Sequence, residues 1–239
     1  KVKRMPDLFN VSYIKEYFPQ IMSNFPITLE ITIGSFILGV TLALVFAIIK
    51  MKKIPVLYQI EVFLVSLIRG TPMVIQLYLS FYGIPILIKY MNYFFGWNID
   101  VYDMPAMVYV IACFTINEAA YNSEVIRAAF GSIDKSQREA AKALGMNGVQ
   151  ILTRVIIPEA FTVALPTLVN SLISLMKSTS LAFTCEVVDI TAKGKILAGR
   201  SYRYFEVYVT LALIYWASTI VIERAGHWLE EKWKIPGRQ

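Results

Sequence analysis

Residues 27–49 read ITLEITIGSFILGVTLALVFAII, a run of 23 residues in which Glu30 is the only charged side chain. About twenty consecutive apolar residues carry a helix across a bilayer, so this run is long enough to span one. The run is continuous and does not alternate between apolar and polar residues, which predicts a helix and not a barrel strand. This stretch therefore indicates a helical membrane protein.

Four further apolar runs predict a single all-α membrane domain of about five transmembrane helices. The second run is unusually long and carries only Glu61 and Arg69 as charges, which suggests a long, tilted or broken span. If the N-terminus faces outward, the polar loop between the third and fourth runs lies in the cytoplasm, with a weak excess of basic residues on that side. The predicted spans are residues 27–49, 56–88, 104–127, 149–176 and 205–222.

The composition agrees with a membrane protein and argues against several other classes. The chain is 56% hydrophobic and 17% charged, whereas a soluble domain carries about a quarter charged residues. The net charge of +6 is explained by basic loops against anionic headgroups, so lipid and not nucleic acid is the expected contact. Two isolated cysteines and a single histidine predict neither a disulfide framework nor a metal site.

A polar, helix-favouring segment, residues 135–148, separates the third and fourth predicted spans. Residues 139–158 read EAAKALGMNGVQILTRVIIP, and Gly145 can end a short helix in a left-handed turn. In a chain this apolar, the segment predicts a short exposed helix in a loop between two spans. Its residues alone favour a solvated surface helix that only links the spans.

This stretch resembles the EAA loop of permease subunits of ABC-type importers, whose pattern is E-A-A, three residues, Gly, nine residues, then I-x-L-P. Val155 and Ile157 stand as conservative replacements at the two aliphatic positions, and the resemblance extends from about Ile21 to the C-terminus. In that family the loop is cytoplasmic and transmits ATP-driven motion from a separate ATPase to the membrane helices. The resemblance implies a type I ABC importer permease fold with a cytoplasmic coupling helix, and it implies these coupling residues: Arg138, Glu139, Ala140, Ala141, Gly145 and Pro158.

The sequence Arg69-Gly70-Thr71-Pro72 interrupts the long second run. Pro72 removes a backbone donor and Gly70 loosens the helix, which predicts a kink or break. Arg69 is costly in hydrocarbon unless it faces protein, water or a headgroup. An R-G-T-P here resembles the polar amino acid branch of the importer permeases, so Arg69 and Thr71 are candidates for the substrate path or gate. The alternative is that Arg69 snorkels and the kink only shapes the bundle.

The third span carries a polar cluster in its second half. Asn117, Tyr121 and Glu124 are spaced four and three apart and share a helical face, with Glu118 beside them. Polar groups at this depth are expected to point into the bundle or a water-filled path. They could hold the ammonium group and side chain of an amino acid, or they could equally be interhelical contacts that hold two subunits together. The surrounding stretch resembles the family pattern A-Y-x-A-E-x-x-R.

Lys177, Ser178 and Thr179 end the fourth span, and we take them as further gate candidates. The family typically has K-D-T-S-L here, so Ser178 replaces an acid and any acid-dependent role is in doubt. A lysine at a helix C-terminus also interacts favourably with the negative end of the helix dipole, and this interaction alone would explain Lys177.

The resemblance implies a multi-pass permease subunit of an ATP-driven importer in the bacterial cell membrane, carrying polar amino acids, with L-cystine as the leading substrate. It implies a second permease subunit, identical or different, two cytoplasmic ATPase subunits, an extracytoplasmic binding protein and transport by alternating access. No cofactor is expected on this chain, and it is not expected to be an enzyme. The Gly194-Lys195 pair is the nearest match to a P-loop, but the motif requires a glycine five residues earlier and the sequence has Asp189 there. ATP and Mg²⁺ therefore belong to the partner ATPase.

Two other classes are compatible with the residues taken without the family pattern. An ion-coupled secondary transporter for amino acids would need titratable groups within the membrane, for which Glu118 and Glu124 are candidates. A membrane assembly or sensor subunit would tolerate apolar replacements at Asn117, Tyr121 and Glu124.

Overall fold

The computed structural model describes residues 9–101 and 103–233, and these residues form a bundle of helices. A π-helical segment, Leu152–Ile156, precedes the eighth helix, and a 3₁₀ segment, Thr179–Cys185, follows it. The helices in chain order are α1 (Val11–Met22), α2 (Phe25–Lys52), α3 (Leu57–Arg69), α4 (Met73–Phe95), α5 (Ala106–Gly131), α6 (Lys135–Ala143), α7 (Gly148–Ile151), α8 (Ile157–Ser178), α9 (Ile190–Ser201) and α10 (Tyr204–Trp233).

Four helical stretches of the described residues are long and apolar enough to cross a membrane: Phe25–Lys52, Met73–Phe95, Gly148–Cys185 and Tyr204–Trp233. Helix α5 has 26 residues, long enough to cross, but it is more polar because Glu118, Glu124 and Arg127 lie on it. It packs against α2, α3, α4 and α8, so the surrounding helices shield much of this polarity from lipid. The result is the predicted all-α membrane fold.

The long second run is broken between α3 and α4. Helix α3 ends at Arg69, and Pro72 begins α4 with extended backbone angles. Because proline supplies no backbone donor, carbonyls at the end of α3 are left without helical partners. The amide of Gln76 donates to two of the carbonyls around the break, Ile68 O at 2.7 Å and Thr71 O at 2.9 Å. The two helices lie one after the other along α5.

Two regions extend beyond the predicted spans. Helix α10 continues from the predicted end at residue 222 to Trp233, because charged side chains end an apolar run without ending a helix. Trp233 packs edge-on against Phe161 of α8, with ring centroids 5.2 Å apart. Helices α1 and α9, which lie outside the predicted spans, pack together with α10 around Tyr17, Ile190 and Val207.

Helix α2 and helix α5 form the most extensive helix pair of the bundle. At Gly39 the backbones approach so closely that an added Cβ would lie 2.6 Å from Glu118 Cβ and 3.2 Å from the carbonyl oxygen of Thr115. Small residues permit this kind of approach between membrane helices. Gly39 therefore sets the position of Glu118.

Gly39→Ala should lower the thermal unfolding midpoint of the detergent-solubilised chain by a few degrees, because the new methyl group overlaps backbone and Cβ atoms of α5. Gly34→Ala is the matched control on the same helix, since its Cβ would meet only Ile111 Cδ1 at 4.0 Å. We expect it to leave the midpoint unchanged or slightly raised. Equal losses for both variants would contradict the tight approach at Gly39.

Candidate functional site

A polar cavity of about 570 Å³ lies between the α3–α4 break, α5 and α8. It brings together most of the predicted path and gate residues: Arg69, Thr71, Asn117, Glu118, Tyr121, Glu124 and Ser178. Two others do not line it. Lys177 is exposed, and Thr179 is fully buried, where its hydroxyl donates to Met176 O at 2.7 Å.

Glu118 is the buried acid of this cavity, with 6% of its surface exposed. Its Oε2 accepts hydrogen bonds from Asn122 Nδ2 and from Ser171 Oγ, both at 2.8 Å. Asn122 Oδ1, next to this carboxylate, is buried without a hydrogen-bond partner among the described residues. Buried acceptors without partners are unfavourable. The arrangement therefore offers the Asn122 oxygen, beside the Glu118 carboxylate, to a donor that enters the cavity.

Arg69 supplies positive charge to the same cavity. Its guanidinium lies over the Tyr121 ring, 5.5 Å from the ring centroid, and it makes no ion pair with a carboxylate of the described residues. The hydroxyl of Thr71 caps the end of α3 by donating to Leu67 O at 3.0 Å. The cation–π contact is the only interaction that the described residues show for the Arg69 guanidinium, so the group can receive a carboxylate.

Asn117 ties the helix break to α5. Its Nδ2 donates to Gln76 Oε1 at 2.9 Å, and Gln76 in turn holds the carbonyls at the break. The amide pair connects two membrane helices of the same chain, so Asn117 has a structural contact within the bundle. Asn117 lines the cavity as well.

Glu124 lines the cavity, but its charge is balanced by protein. Lys50 of α2 binds one carboxylate oxygen, and Arg127 binds the other at 2.8 Å. Lys50 also lies 3.9 Å from Glu61 of α3, which is 2% exposed. Four charged side chains from three helices therefore form one ion cluster beside the cavity.

Several polar residues that line the cavity lie outside the predicted site. Thr167, Ser171 and Ser174 are spaced four and three apart, with Asn170 beside them, and they continue the face of the predicted residue Ser178. This is the spacing of one helical face. A search for a polar stripe along the fourth span would have found them.

Helix α6 begins and ends with well-formed caps. The Asp134 side chain accepts from Ser136 N at 2.9 Å, and this bond to a backbone N–H lowers the pKa of the carboxyl group. At the other end Gly145 has φ +80°, Gly145 N donates to Lys142 O, and Met146 N donates to Ala141 O. These two bonds form a Schellman motif.

The two sides of α6 differ in exposure. Ala141 is buried against Ile133, Ile151 and Ala160, so it belongs to the side that packs on the bundle. Arg138, Glu139 and Ala140 are exposed, and Leu144, just after the helix, is 82% exposed. An exposed apolar side chain beside charged ones is typical of an interaction surface.

Helix α6 is also bonded to the base of α8. Gln137 Nε2 donates to Oε1 of the buried Glu159 at 3.0 Å. Pro158 is half-buried next to Glu159, at the junction of α8 with the π-helical segment. Because Pro158 has no N–H, a regular helical bond to residue 154 cannot form there. Helix α6 is therefore in direct contact with the start of α8, and α8 lines the cavity.

Comparison with known proteins identifies the family. Residues 39–235 match the family described as "Binding-protein-dependent transport system inner membrane component". The probable amino-acid ABC transporter permease protein PatM of Vibrio harveyi is 38% identical over 224 residues, covering 94% of this chain and 96% of PatM. The L-cystine transport system permease protein TcyL of Bacillus subtilis is 35% identical over 219 residues, covering 92% and 89%.

Among solved structures, the chain is similar to one described as "Crystal structure of an amino acid ABC transporter with histidines". The TM-score is 0.78 and the sequence identity 31%, and the match covers 94% of this chain and 99% of that one. Because these relatives are permeases of ABC transporters, they favour that class over the ion-coupled secondary transporter and the membrane sensor subunit. The fold is that of type I ABC importer permeases, and the chain belongs to the family of binding-protein-dependent transport system inner membrane components as an amino acid ABC transporter permease of the cell membrane.

Proposed function

We propose that the chain moves polar amino acids through the cavity between α5 and α8, driven by ATP hydrolysis in separate subunits. The substrate is received from an extracytoplasmic binding protein at the end of the bundle that carries α1 and α9. Two permease subunits, identical or different, and two ATPases that hold ATP and Mg²⁺ complete the importer. Transport follows an alternating-access cycle in which the cavity opens to one side at a time.

The observation that carries this proposal is the charge pattern of the cavity. Arg69 offers a cation without a carboxylate partner among the described residues, while the Glu118 carboxylate lies beside Asn122 Oδ1, a buried acceptor without a donor. A free amino acid carries a carboxylate and an ammonium group, so its two charges complement these two sites. The side-chain hydroxyls of Ser171, Ser174 and Ser178 add neutral donors and acceptors for a polar side chain.

Coupling to the ATPase is assigned to α6. Its outer side, with Glu139 and Ala140, is free to contact a cytoplasmic subunit, Arg138 lies at the edge of this side, and the inner side is attached to α8 through Ala141 and the Gln137–Glu159 bond. The Schellman turn at Gly145 and the π-helical junction at Pro158 keep the two ends of this connection in place. A short capped helix of this kind transmits displacement as a rigid body.

L-cystine is the first substrate to test. The support is the similarity to TcyL, together with the resemblance of the KSTSLAF stretch at residues 177–183 to cystine permeases. Cystine carries two ammonium and two carboxylate groups, so one half can occupy the charged part of the cavity while the other half extends along the serines of α8.

The test is uptake by the complete importer in proteoliposomes with ATP inside and binding protein outside. Labelled cystine, arginine and glutamine are supplied separately, and ATP hydrolysis is measured in parallel. We expect at least one of them to be accumulated only with ATP, and its uptake to persist when an ionophore removes ion gradients. Uptake that follows the ion gradient and ignores ATP would overturn the proposal.

Glu139→Lys should detach the ATPase subunits from the purified complex, because it reverses the charge on the outer side of α6 without touching the buried side. Co-purification in detergent measures this directly. Glu16→Lys on exposed helix α1, at the other end of the bundle, is the matched control and should retain the ATPase. Full retention by Glu139→Lys, with normal uptake, would contradict the assignment of α6.

A further inference from the structure

A second cavity, of about 820 Å³, lies at the end of the bundle that carries α6. It is an open cavity bordered by the end of α2, the start of α3, the end of α5, helix α6 and the π-helical segment with the start of α8. Its basic lining residues are Lys50, Lys52, Lys53, Arg127 and Arg138, and no acidic side chain lines it among the residues that the structure describes. Apolar residues, including Leu44, Ile48 and Phe130, form the rest of its wall.

The positive charge of this cavity is only partly balanced. Lys50 and Arg127 are bound to Glu124. Lys52, Lys53 and Arg138 make no ion pair within the described ranges 9–101 and 103–233. Lys53 ends α2 in a left-handed conformation, with φ 48°, so the chain turns at the rim of the cavity. Three cations remain available to an anion.

An apolar groove continues from this cavity along the bundle. The groove has a volume of about 320 Å³, lies between α2, α5 and α8, and shares Leu44, Phe130 and Ile157 with the basic cavity. Its remaining lining residues are apolar except for Thr41. From Val40 to Lys52 the rise along α2 is roughly 18 Å, which is comparable to one leaflet of a hydrocarbon core about 30 Å thick.

We propose that this continuous basic and apolar surface binds one anionic glycerophospholipid of the leaflet at the α6 end. Its phosphate lies among Lys52, Lys53 and Arg138, and one acyl chain follows the groove between α2 and α8. A protein partner with an acidic surface would use the cations but not a groove that runs into the hydrocarbon layer. Because Arg138 belongs to α6, the bound lipid contacts the helix that we assign to coupling.

The test uses the complete importer purified in detergent, with phosphatidylglycerol or phosphatidylcholine added and bound lipid counted by native mass spectrometry. We expect phosphatidylglycerol to be retained in preference. Lys52→Gln/Lys53→Gln should weaken the retention of phosphatidylglycerol about thirty-fold, because the variant loses the electrostatic attraction of two basic side chains to the anionic headgroup. The matched control is Lys15→Gln/Lys193→Gln, which removes two lysines at the opposite end and should change nothing.

A second variant tests the groove separately. Thr41 is exposed and lines the groove, so Thr41→Trp fills the groove from its surface without altering the buried core. We expect retention of both lipids to fall in this variant. Equal retention of the two lipids by the unmodified importer, or unchanged phosphatidylglycerol retention in Lys52→Gln/Lys53→Gln, would overturn the proposal.

If Lys52→Gln/Lys53→Gln loses the ATPase subunits while lipid retention is unchanged, the cavity binds protein and the lipid proposal fails. Substrate-dependent ATP hydrolysis, measured on the same samples, reports on the transport function independently. A failure of the lipid site is therefore distinguishable from a failure of the importer assignment.

Discussion

Gly145→Val should abolish ATP-driven uptake by the assembled importer while the chain still inserts into the membrane. Gly145 has φ +80°, a conformation that costs an L-residue about 1–2 kcal/mol and is a genuine outlier for a β-branched one. The strain is relieved by opening the Schellman turn, which displaces Leu144 and loosens α6 from Ala141 onward. Uptake into proteoliposomes and attachment of the ATPase subunits are the two measurements.

Gly148→Val is the control for this prediction. An added Cβ at either glycine meets nothing within 4 Å, and Gly148 lacks the positive φ. The two variants therefore differ in backbone strain and not in available space. Normal uptake in Gly145→Val, or an equal loss in Gly148→Val, would show that the turn at Gly145 is not needed for coupling.

Glu118→Gln should weaken substrate recognition about ten- to hundred-fold, the range expected for loss of a hydrogen bond to a charged group. Glutamine preserves the shape of the side chain, but it removes the charge that we assign to the ammonium group of the substrate. The effect is measured as the substrate concentration that gives half-maximal stimulation of ATP hydrolysis.

Ser171→Ala provides the comparison for Glu118. It removes one of the two hydrogen bonds to Glu118 Oε2 and leaves the negative charge in place, so we expect a change of less than about tenfold. Equal stimulation curves for Glu118→Gln and the unmodified importer would place the ammonium site elsewhere.

Local chemistry in the sequence predicted several features of the fold and the site. Gly70 and Pro72 predicted the break between α3 and α4, because one residue loosens a helix and the other cannot donate within it. Glycine after a polar helical segment predicted the turn at Gly145. The spacing of Asn117, Tyr121 and Glu124 predicted a polar face on α5, and all three line one cavity.

The partners of these residues could not be predicted. Glu124 is held by Lys50, 74 positions away, Glu118 by Ser171, 53 positions away, and Asn117 by Gln76, 41 positions away. Helical periodicity tells which residues of one helix share a face, but it does not tell which helix lies opposite. A single sequence therefore leaves open whether a carboxylate faces a substrate or a lysine of its own chain.

The end of the fourth span shows a second limit. Lys177, Ser178 and Thr179 are neighbours in the sequence and all three are gate candidates, but of these three Ser178 alone lines the cavity. Successive side chains in a helix point about 100° apart, so neighbours in sequence face different surroundings. The change to 3₁₀ geometry at Thr179 tightens the chain at this point and leaves Thr179 inside the bundle.

The π-helical segment Leu152–Ile156 makes the chain tolerant of a change in length at one place. A π-turn contains one residue more than an α-turn, so deletion of a single residue within it would bring the turn to α-helical geometry, apart from the bond that Pro158 cannot donate, and would keep Thr167, Ser171 and Ser174 facing the cavity. The same deletion after Pro166 would rotate Ser171 and Ser174 by about 100° relative to the rest of α8. The π-turn can thus absorb the loss of one residue. The side chains of α8 that line the cavity would then keep their direction even though the segment before them is one residue shorter.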